Sequence, residues 1–533
     1  MRIRIARRLV VVSLLLAACQ ELTVTNPNQP DAARATTQPL TTESFVASSF
    51  RTWYPVGGHD DYPSWAFSTM AREMTSGFAD FGQLELSAEP RAAWNNSPVN
   101  VRRQVNETPW QGLYRTISAV NDVLAATNRG LVIVDTTRTA RARVMAKFMQ
   151  GLAYGHLGLY FDQAIVTDER TNLDTLPSDS TVAFTPWPQV VRSGIAQIDT
   201  SIAWATARPG ISFPVESWFY QALTRDQFVR LANSYAARIL ASAPRTRTER
   251  AAVDWNEVIR RVDAGIQQDF APVAQADILF DDWKRLIARL RTAGRPSDFG
   301  RPSYWLIGPA DSANGWVNWV ATPVANRQPF QMRTRDRRLQ GAGGPATPGI
   351  YMGYNLNNIF QVSRGTYRFS HYYYLRYGTG TTWQVGPNPA MTVTEMNLLK
   401  AEALIRLNRA AEAVPLINLS RVANGQLPAV TIDGPPDAPG CVPRKQSGAC
   451  GSLWDALRYE KGIELAGING VVAFFDARGW QTLPEFTPLQ LPVPGSELAT
   501  LRKTNYTFGG PGGASSALAP DPERCPVALA RCP

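Results

Sequence analysis

Three histidines, His59, His156 and His371, are the only imidazoles in the chain. They are widely separated, with no HExxH helix and no serine nucleophile elbow beside them, so metalloprotease and triad chemistry lack their parts. His156 sits in the apolar run 152–159 and reads as a packed or capping residue. The adjacent carboxylates Asp60-Asp61 and Asp281-Asp282 come closest to the paired acids of glycoside hydrolysis. Neighbours in extended chain point apart, so neither pair alone sets the separation that acid and nucleophile need. The run Gly57-Gly58-His59-Asp60-Asp61 has ordinary turn composition, which outweighs a cation loop. Gly341-Ala342-Gly343-Gly344 runs into proline and opens no helix, so it is no phosphate cradle.

The five cysteines carry more information. Cys19 follows Leu16-Ala17-Ala18, and before it come Arg2, Arg4, Arg7, Arg8 and an apolar run at 9–16. That run is far short of the roughly 20 residues that cross a bilayer, and it ends in small residues, as a cleaved signal peptide does. The small-small-Cys ending resembles a bacterial lipobox. It implies a diacylglycerol thioether on Cys19 and acylation of the freed amine, by palmitate for example, and several chains on one residue anchor stably. Residues 1–18 are thus a lipoprotein signal peptide. The remaining four cysteines, in an oxidising compartment, allow three pairings. The local ones, Cys441 with Cys450 and Cys525 with Cys532, close short Pro/Gly-rich loops and are expected. Their intervals do not match zinc spacings and no histidine lies near, so no metal site is expected.

Ligand contact falls to the aromatic residues. A flat ring offers an apolar face at low entropic cost, and a sugar's C–H face can stack on it while its hydroxyls reach Asn, Asp or Arg. The candidates in polar stretches are Trp53, Tyr54, Tyr62, Trp65, Trp94, Trp305, Trp316, Trp319 and Tyr351. Trp94, flanked by Asn95 and Asn96, and Trp316, between Asn314 and Asn318, have the polar company a site needs; these two, with Trp319 and Tyr351, are favoured.

The elements that must position these residues are mainly helical. Residues 19–42, rich in Thr, Asn, Gln and Pro, cannot bury enough surface to fold alone and read as a lipidated leash. Beyond them, residues 43–533 read as one domain. Apolar residues recur at three- and four-residue steps in pairs near 109–162, 228–265, 392–424 and 453–480. Leu113, Ile117, Val120 and Leu124 form one such stripe, and Met396, Leu399, Ala403 and Leu407 another, with Thr394 as its cap. Pairs that cannot bury their own apolar face stack like tetratricopeptide units. Between about 270 and 390 the helical signal fades into a loop-rich insertion with short strands, and the aromatics at 367–377 suggest a hairpin. The formal charge of +10 falls to +6 once the four leader arginines are removed, and the arginines that remain are scattered. A nucleic-acid footprint needs a concentrated basic face, and none is present. The densest group, Arg333, Arg335, Arg337 and Arg338 around Asp336, reads as a solvated or ion-paired loop.

Three segments together resemble the SusD/RagB family of outer-membrane lipoproteins. They are Trp110-Gln111-Gly112-Leu113-Tyr114 continuing to Asn121; Thr394-Glu395-Met396 through Ala401-Glu402-Ala403 to Arg421; and 457–480 with Glu460, Glu464, Phe474-Phe475-Asp476 and Arg478, followed by Leu491-Pro492-Val493-Pro494 and Glu497. Where the family has Glu-Gly-x-Arg before Phe-x-Asp, this chain has Gly470-Val471-Val472-Ala473, so Glu464 and Asp476 must find another partner, Arg458 or Arg478. The resemblance implies a helix-pair scaffold with long inserted loops and no cofactor. It implies a non-enzymatic surface protein that captures an oligosaccharide or peptide for a SusC-type TonB-dependent transporter, anchored in the outer membrane and facing outward. The rival expectation is a lipid-anchored glycan hydrolase on the same scaffold.

Overall fold

The computed structural model describes residues 37–518, apart from 76, 78, 173–174, 275–278, 280, 282, 285–286, 288–299, 357–361 and 377–385. Cys19, most of the expected leash, Cys525 and Cys532 therefore lie outside the described residues.

The expected helix pairs form. Helices α1 (Pro39–Ala47), α2 (Ser49–Tyr54) and α3 (Asp61–Met70) precede the long hairpin of α4 (Gln104–Asn128) and α5 (Thr136–Tyr160). Next come α6 (Trp187–Thr206), α7 (Arg225–Ser242) and α8 (Trp255–Asp263). The insertion contributes α9 (Tyr304–Ile307) and α10 (Gly315–Ala321). The last four are α11 (Val393–Arg406), α12 (Ala410–Ala423), α13 (Leu453–Leu465) and α14 (Val472–Trp480). Each long helix packs on the next, α4 to α5 to α6 to α7 to α8, and α8 then passes to α11, which meets α12 and α13. That succession is the stacking of a helical-repeat scaffold, in which each pair buries the face its neighbour leaves open.

From Val144 to Tyr160 helix α5 is buried on all sides, as a central helix must be, and its polar start is capped by Asp135, which accepts the Arg138 N–H at 2.7 Å. Helix α6, outside the expected pairs, carries Val191, Ile195, Ile198 and Ile202 on one face and buries Val191 and Ile198. Close approach holds it as well: a Cβ on Gly194 would lie 2.6 Å from the Gly155 N, and one on Gly151 would lie 2.7 Å from the Gly194 O. Helix α11 is capped by Thr392, whose hydroxyl accepts the Glu395 N–H at 3.1 Å, so the cap lies two residues before Thr394. Helix α1 takes residues 39–42 of the expected leash into the body, with Thr42 fully buried.

Strands are short. Five two-stranded antiparallel ribbons occur among the described residues. One pairs Met74–Thr75 with Arg301–Pro302 and ties the chain after α3 to the insertion. Another pairs Met352–Tyr354 with Tyr372–Tyr374, so the tyrosine strand finds its partner upstream rather than in a hairpin within 367–377. The alternation of the strand explains this choice, since Tyr372 and Tyr374 face a buried cluster while Gly353 leaves room opposite for the Tyr373 ring.

One large core fills the helical stack from α1 to α8 and includes Phe474 and Phe475; a second, aromatic core joins Trp65, Tyr304, Trp316, Trp319, Tyr372 and Tyr459 under the insertion. Buried ion pairs stitch the layers. Arg250 holds Glu402 of α11 at 2.7 Å and Asp476 of α14 at 2.8 Å, and Lys461 of α13 reaches Asp476 at 2.8 Å. Arg338 holds Asp336, Glu460 and Glu464, all four groups being buried. Around Asp336, Arg338 is ion-paired in the interior while Arg333 and Arg335 are exposed, so the loop is partly ion-paired and partly solvated. One expectation is corrected: Glu464 and Asp476 pair with neither Arg458 nor Arg478. Arg478 donates to the Leu489, Ser242 and Leu159 carbonyls, and Arg458 lies 3.7 Å from Asp455. The arginine partners come from more than a hundred residues upstream, 126 for Glu464 and 226 for Asp476, beyond what local spacing can reveal.

Candidate functional site

The short turn that follows α3 ends in Arg72 and Glu73, and the ribbon Met74–Thr75 with Arg301–Pro302 fixes it beside α9. The Ser303 N–H donates to the Glu73 carbonyl at 3.1 Å, and the Ser303 hydroxyl caps α9 by accepting the Trp305 N–H. Glu73 and Trp305 are thus positioned by one backbone junction. With the faces of α13 and α14 and residues Pro443 to Gln446, they line a cleft of about 410 Å³. Helix α13 presents Asp455, Arg458, Gly462 and Leu465 at helical spacing, and α14 presents Val472, Ala473, Asp476 and Trp480. The Cys441–Cys450 disulfide closes the loop that supplies the wall at 443–446.

Trp305 is half-buried and rigid. Arg72 stacks over its ring at 4.2 Å and Arg327 at 5.5 Å, while Trp319 meets it edge-on at 5.6 Å. Glu89 pairs with Arg72 at 2.6 Å, which fixes that guanidinium in turn. Leu306, Leu465 and Ile468 extend the apolar wall.

Among the described residues, four carboxyl groups line the cleft, and three are engaged. Glu395 is gripped by Arg238, Asp476 by Arg250 and Lys461, and Asp455 caps α13 through Ser452. Glu73 differs. It is 5% exposed, it forms no salt bridge among the described residues, and burial pushes its carboxyl up to about 8, with only the Gly467 N–H pulling the other way. Among the described residues its Oε2 has no hydrogen-bond partner, and neither has the Nε1 of Trp316, a second lining residue that is 4% exposed. At the mouth, Arg444 donates to the Asn314 side chain at 2.7 Å and to the Gly448 carbonyl, and no carboxylate pairs with it among the described residues.

The residues favoured from sequence are not one constellation. Trp94 is buried in the main core, its backbone N–H bonded to the Phe508 carbonyl, and the neighbouring Asn96 spends its amide on Val493, Asn505 and Tyr506. It presents no face to a ligand. Trp319 is 6% exposed and braces Trp305 from behind. The Tyr351 hydroxyl donates to Glu464 at 3.0 Å under the Arg376 guanidinium, so it belongs to the Arg338 charge cluster. Only Trp316 lines the cleft, alongside Trp305 from the wider set. Glu73 and Arg72 went unnoticed, because neither stands in a motif; the polar flanks of Trp94 pointed to packing bonds instead.

The histidines lie elsewhere. His59 stacks on Tyr54 at 4.1 Å and meets Asp281 at 3.1 Å, and burial holds its imidazole down to about 4 despite that carboxylate. Asp281, which also accepts from Lys284 at 2.8 Å, is held well below its ordinary range: burial raises it, and Lys284 and His59 outweigh burial. His156 donates through Nδ1 to the Leu152 carbonyl of α5 at 2.8 Å and packs against Trp53. A second cavity, of about 540 Å³, lies on the outer face of α4 between Trp110, Tyr114, Asp122 and Glu497. No group of three or more metal-ligating side chains occurs among the described residues, and no described helix is long and apolar enough to cross a membrane.

A helical-repeat scaffold that carries an aromatic cleft between its C-terminal helices and a looped insertion is the class of protein defined here. The particular fold is that of the SusD superfamily. A SusD superfamily protein from Parabacteroides distasonis ATCC 8503 aligns with a TM-score of 0.55 over 89% of this chain and 99% of its own, at 11% identity. One from Bacteroides vulgatus ATCC 8482 aligns at 0.53 over 87% and 97%, at 12% identity, and a SusD homologue from Bacteroides thetaiotaomicron VPI-5482 at 0.53 over 83% and 89%, at 14% identity. No protein-family model and no curated protein sequence matches the chain.

Proposed function

We propose that this chain is a SusD/RagB-type lipoprotein, held by a lipid on Cys19 at the outer face of the outer membrane. It captures an oligomeric nutrient, a glycan in preference to a peptide, and passes it to a SusC-type TonB-dependent transporter. The observation that carries the reading is the likeness to SusD superfamily proteins along nearly the whole of both chains. The cleft supports binding over hydrolysis, since two-carboxyl chemistry needs a second free acid and three of the four lining carboxyl groups are already engaged. A lipid on Cys19 would keep the effective concentration of the body at a membrane partner high, so modest affinity suffices.

Titration of the detergent-solubilised full chain with panels of oligosaccharides and oligopeptides tests this. Saturable binding without turnover is expected. Turnover of a glycan, abolished by replacing one carboxylate, would convert the reading to the hydrolase.

A further inference from the structure

The cavity of about 540 Å³ on the outer face of α4 is elongated. Trp110, Tyr114, Ile117, Asn121 and Ala125 line it at three- and four-residue steps, so one face of the helix forms its floor over about four turns. Segment 165–169 forms the facing wall and is bonded to that face. The Tyr114 hydroxyl accepts the Ile165 N–H at 2.7 Å and donates to the Ile165 carbonyl at 2.9 Å, and the Asn121 amide reaches the Thr167 carbonyl at 3.5 Å. Trp110 and Ile117 make the floor apolar, and Phe161 braces the Trp110 ring edge-on at 5.0 Å. A carboxyl group stands towards each end. Glu497, from the short helix Gly495–Thr500, accepts the Trp110 indole N–H at one end, and Asp122 lies towards the other. Both are partly buried, and neither is ion-paired among the described residues. Burial raises both above the ordinary carboxyl range, against a smaller pull from Arg129 on Asp122 and from the indole on Glu497. The remaining acids of the wall are engaged, Asp168 by Arg170 and Glu169 by Lys147, each at 3.0 Å. Arg115, at the exposed rim, is the one cation among the described lining residues.

We propose that this groove binds a short, free, basic oligopeptide in extended conformation, with one ammonium or guanidinium group at Glu497 and a second at Asp122. Trp110 and Asp122 are twelve residues apart on α4, roughly 18 Å of helix rise. Extended chain advances about 3.3 Å per residue, so that distance matches a separation of about five residues. Side chains of an extended peptide alternate between faces, so an even spacing, about four or six steps, presents both basic groups to one floor. The long aliphatic stems of lysine or arginine would lie along Trp110, Tyr114 and Ile117 while their heads reach the carboxylates, giving charge-assisted hydrogen bonds to groups that have no counter-ion in the protein. A neutral or acidic peptide would leave both acids unmatched. The groove is separate from the cleft, so the inference stands or falls independently of what the cleft takes up.

The test is calorimetric titration of the full chain in detergent with three Gly/Ser peptides of equal length. One carries two lysines six steps apart, one carries two adjacent lysines, and one carries N-acetyllysine at the spaced positions. The spaced dilysine peptide should bind about tenfold or more tightly than either control, with an affinity that falls as salt rises. Asp122→Asn and Glu497→Gln should each weaken it several-fold, and the double variant should bind spaced and adjacent peptides alike. Arg115→Gln, which removes the opposing cation at the rim, should strengthen binding. Melting temperatures of the carboxamide variants should stay at or above wild type, because each removes a partly buried charge without a counter-ion, whereas acids with a purely structural role would lower them. Equal binding of all three peptides would overturn the inference, as would a spacing preference that survives in the double variant. Absence of binding to any of the peptides would also overturn it, whatever folded protein the groove then covered.

Discussion

One guanidinium joins the insertion to the C-terminal helices: Arg338 Nη1 lies 2.5 Å from Glu460 and 2.9 Å from Glu464, one turn apart on α13. The same side chain also meets Asp336 at 2.7 Å, and Tyr459 donates to Asp336 from the opposite side. Three carboxylates thus share one fully buried arginine, with Arg421 reaching Glu460 at 3.4 Å. Burial alone would raise the Glu460 carboxyl, and it remains raised even though Arg338 pulls it down.

Removing that arginine leaves buried carboxylates without their counter-ion. Arg338→Leu should therefore cost roughly 3–5 kcal/mol of stability, the range for breaking a buried pair from one side. Urea unfolding of wild type and variant measures it. An unchanged midpoint would show that the cluster is replaceable by packing.

The two kinds of tryptophan should separate. Trp94→Ala empties a core site and should cost roughly 3–5 kcal/mol, whereas Trp305→Ala, at a half-exposed wall, should cost less and abolish ligand quenching. Melting curves paired with ligand titrations check both. Loss of binding in Trp94→Ala at full stability would restore the site expected from sequence.

Stability should fall on the alkaline side through Glu73. Its folded value of about 8 stands above the 4.5 of an ordinary glutamate, so the folded protein holds a proton that the unfolded chain has released. The contribution is complete below 4.5 and is lost as pH rises through about 8, at a slope of up to about 1.4 kcal/mol per pH unit. Tyr374 is the titrating group beside it, itself raised by burial first and by Glu73 second. Unfolding free energies of wild type and Glu73→Gln should diverge as pH rises from 5 to 9. Parallel curves would contradict the assignment. On the acid side Glu402 works in the opposite sense: burial raises it, but Arg250 and Arg406 hold it well below its ordinary range, so its stabilisation is present above 4.5 and lost as pH falls.

The disulfide spans a sequence separation of 9 and ends beside the cleft wall. Loop-closure entropy for so short a loop is worth roughly 2–3 kcal/mol. Replacing Cys441 and Cys450 with serine should lower stability by about that amount and weaken ligand binding, read by calorimetry and titration. Intact binding would show that the wall holds without its staple.

Much of the scaffold was legible in the sequence, because an amphipathic stripe such as Leu113, Ile117, Val120 and Leu124 needs only local spacing to be seen. Helix α6 carries such a stripe too, in Val191, Ile195, Ile198 and Ile202, but its close crossing of α5 was not legible, since Gly151, Gly155 and Gly194 pack by the absence of side chains. The cleft was hardest to read. Trp316 and Trp305 stood in the aromatic set, but the flanking asparagines that favoured Trp94 proved to serve the backbone. Glu73 acquires its character from burial and from Gly467 and Ser303, which a linear reading does not place beside it.

The central claim is that this body serves a transporter. Gentle detergent extraction of native membranes, affinity capture of the full chain and identification of co-purifying proteins test it most directly. The account predicts a large TonB-dependent β-barrel in near-equal amount; repeated recovery of the chain without any large β-barrel would contradict it.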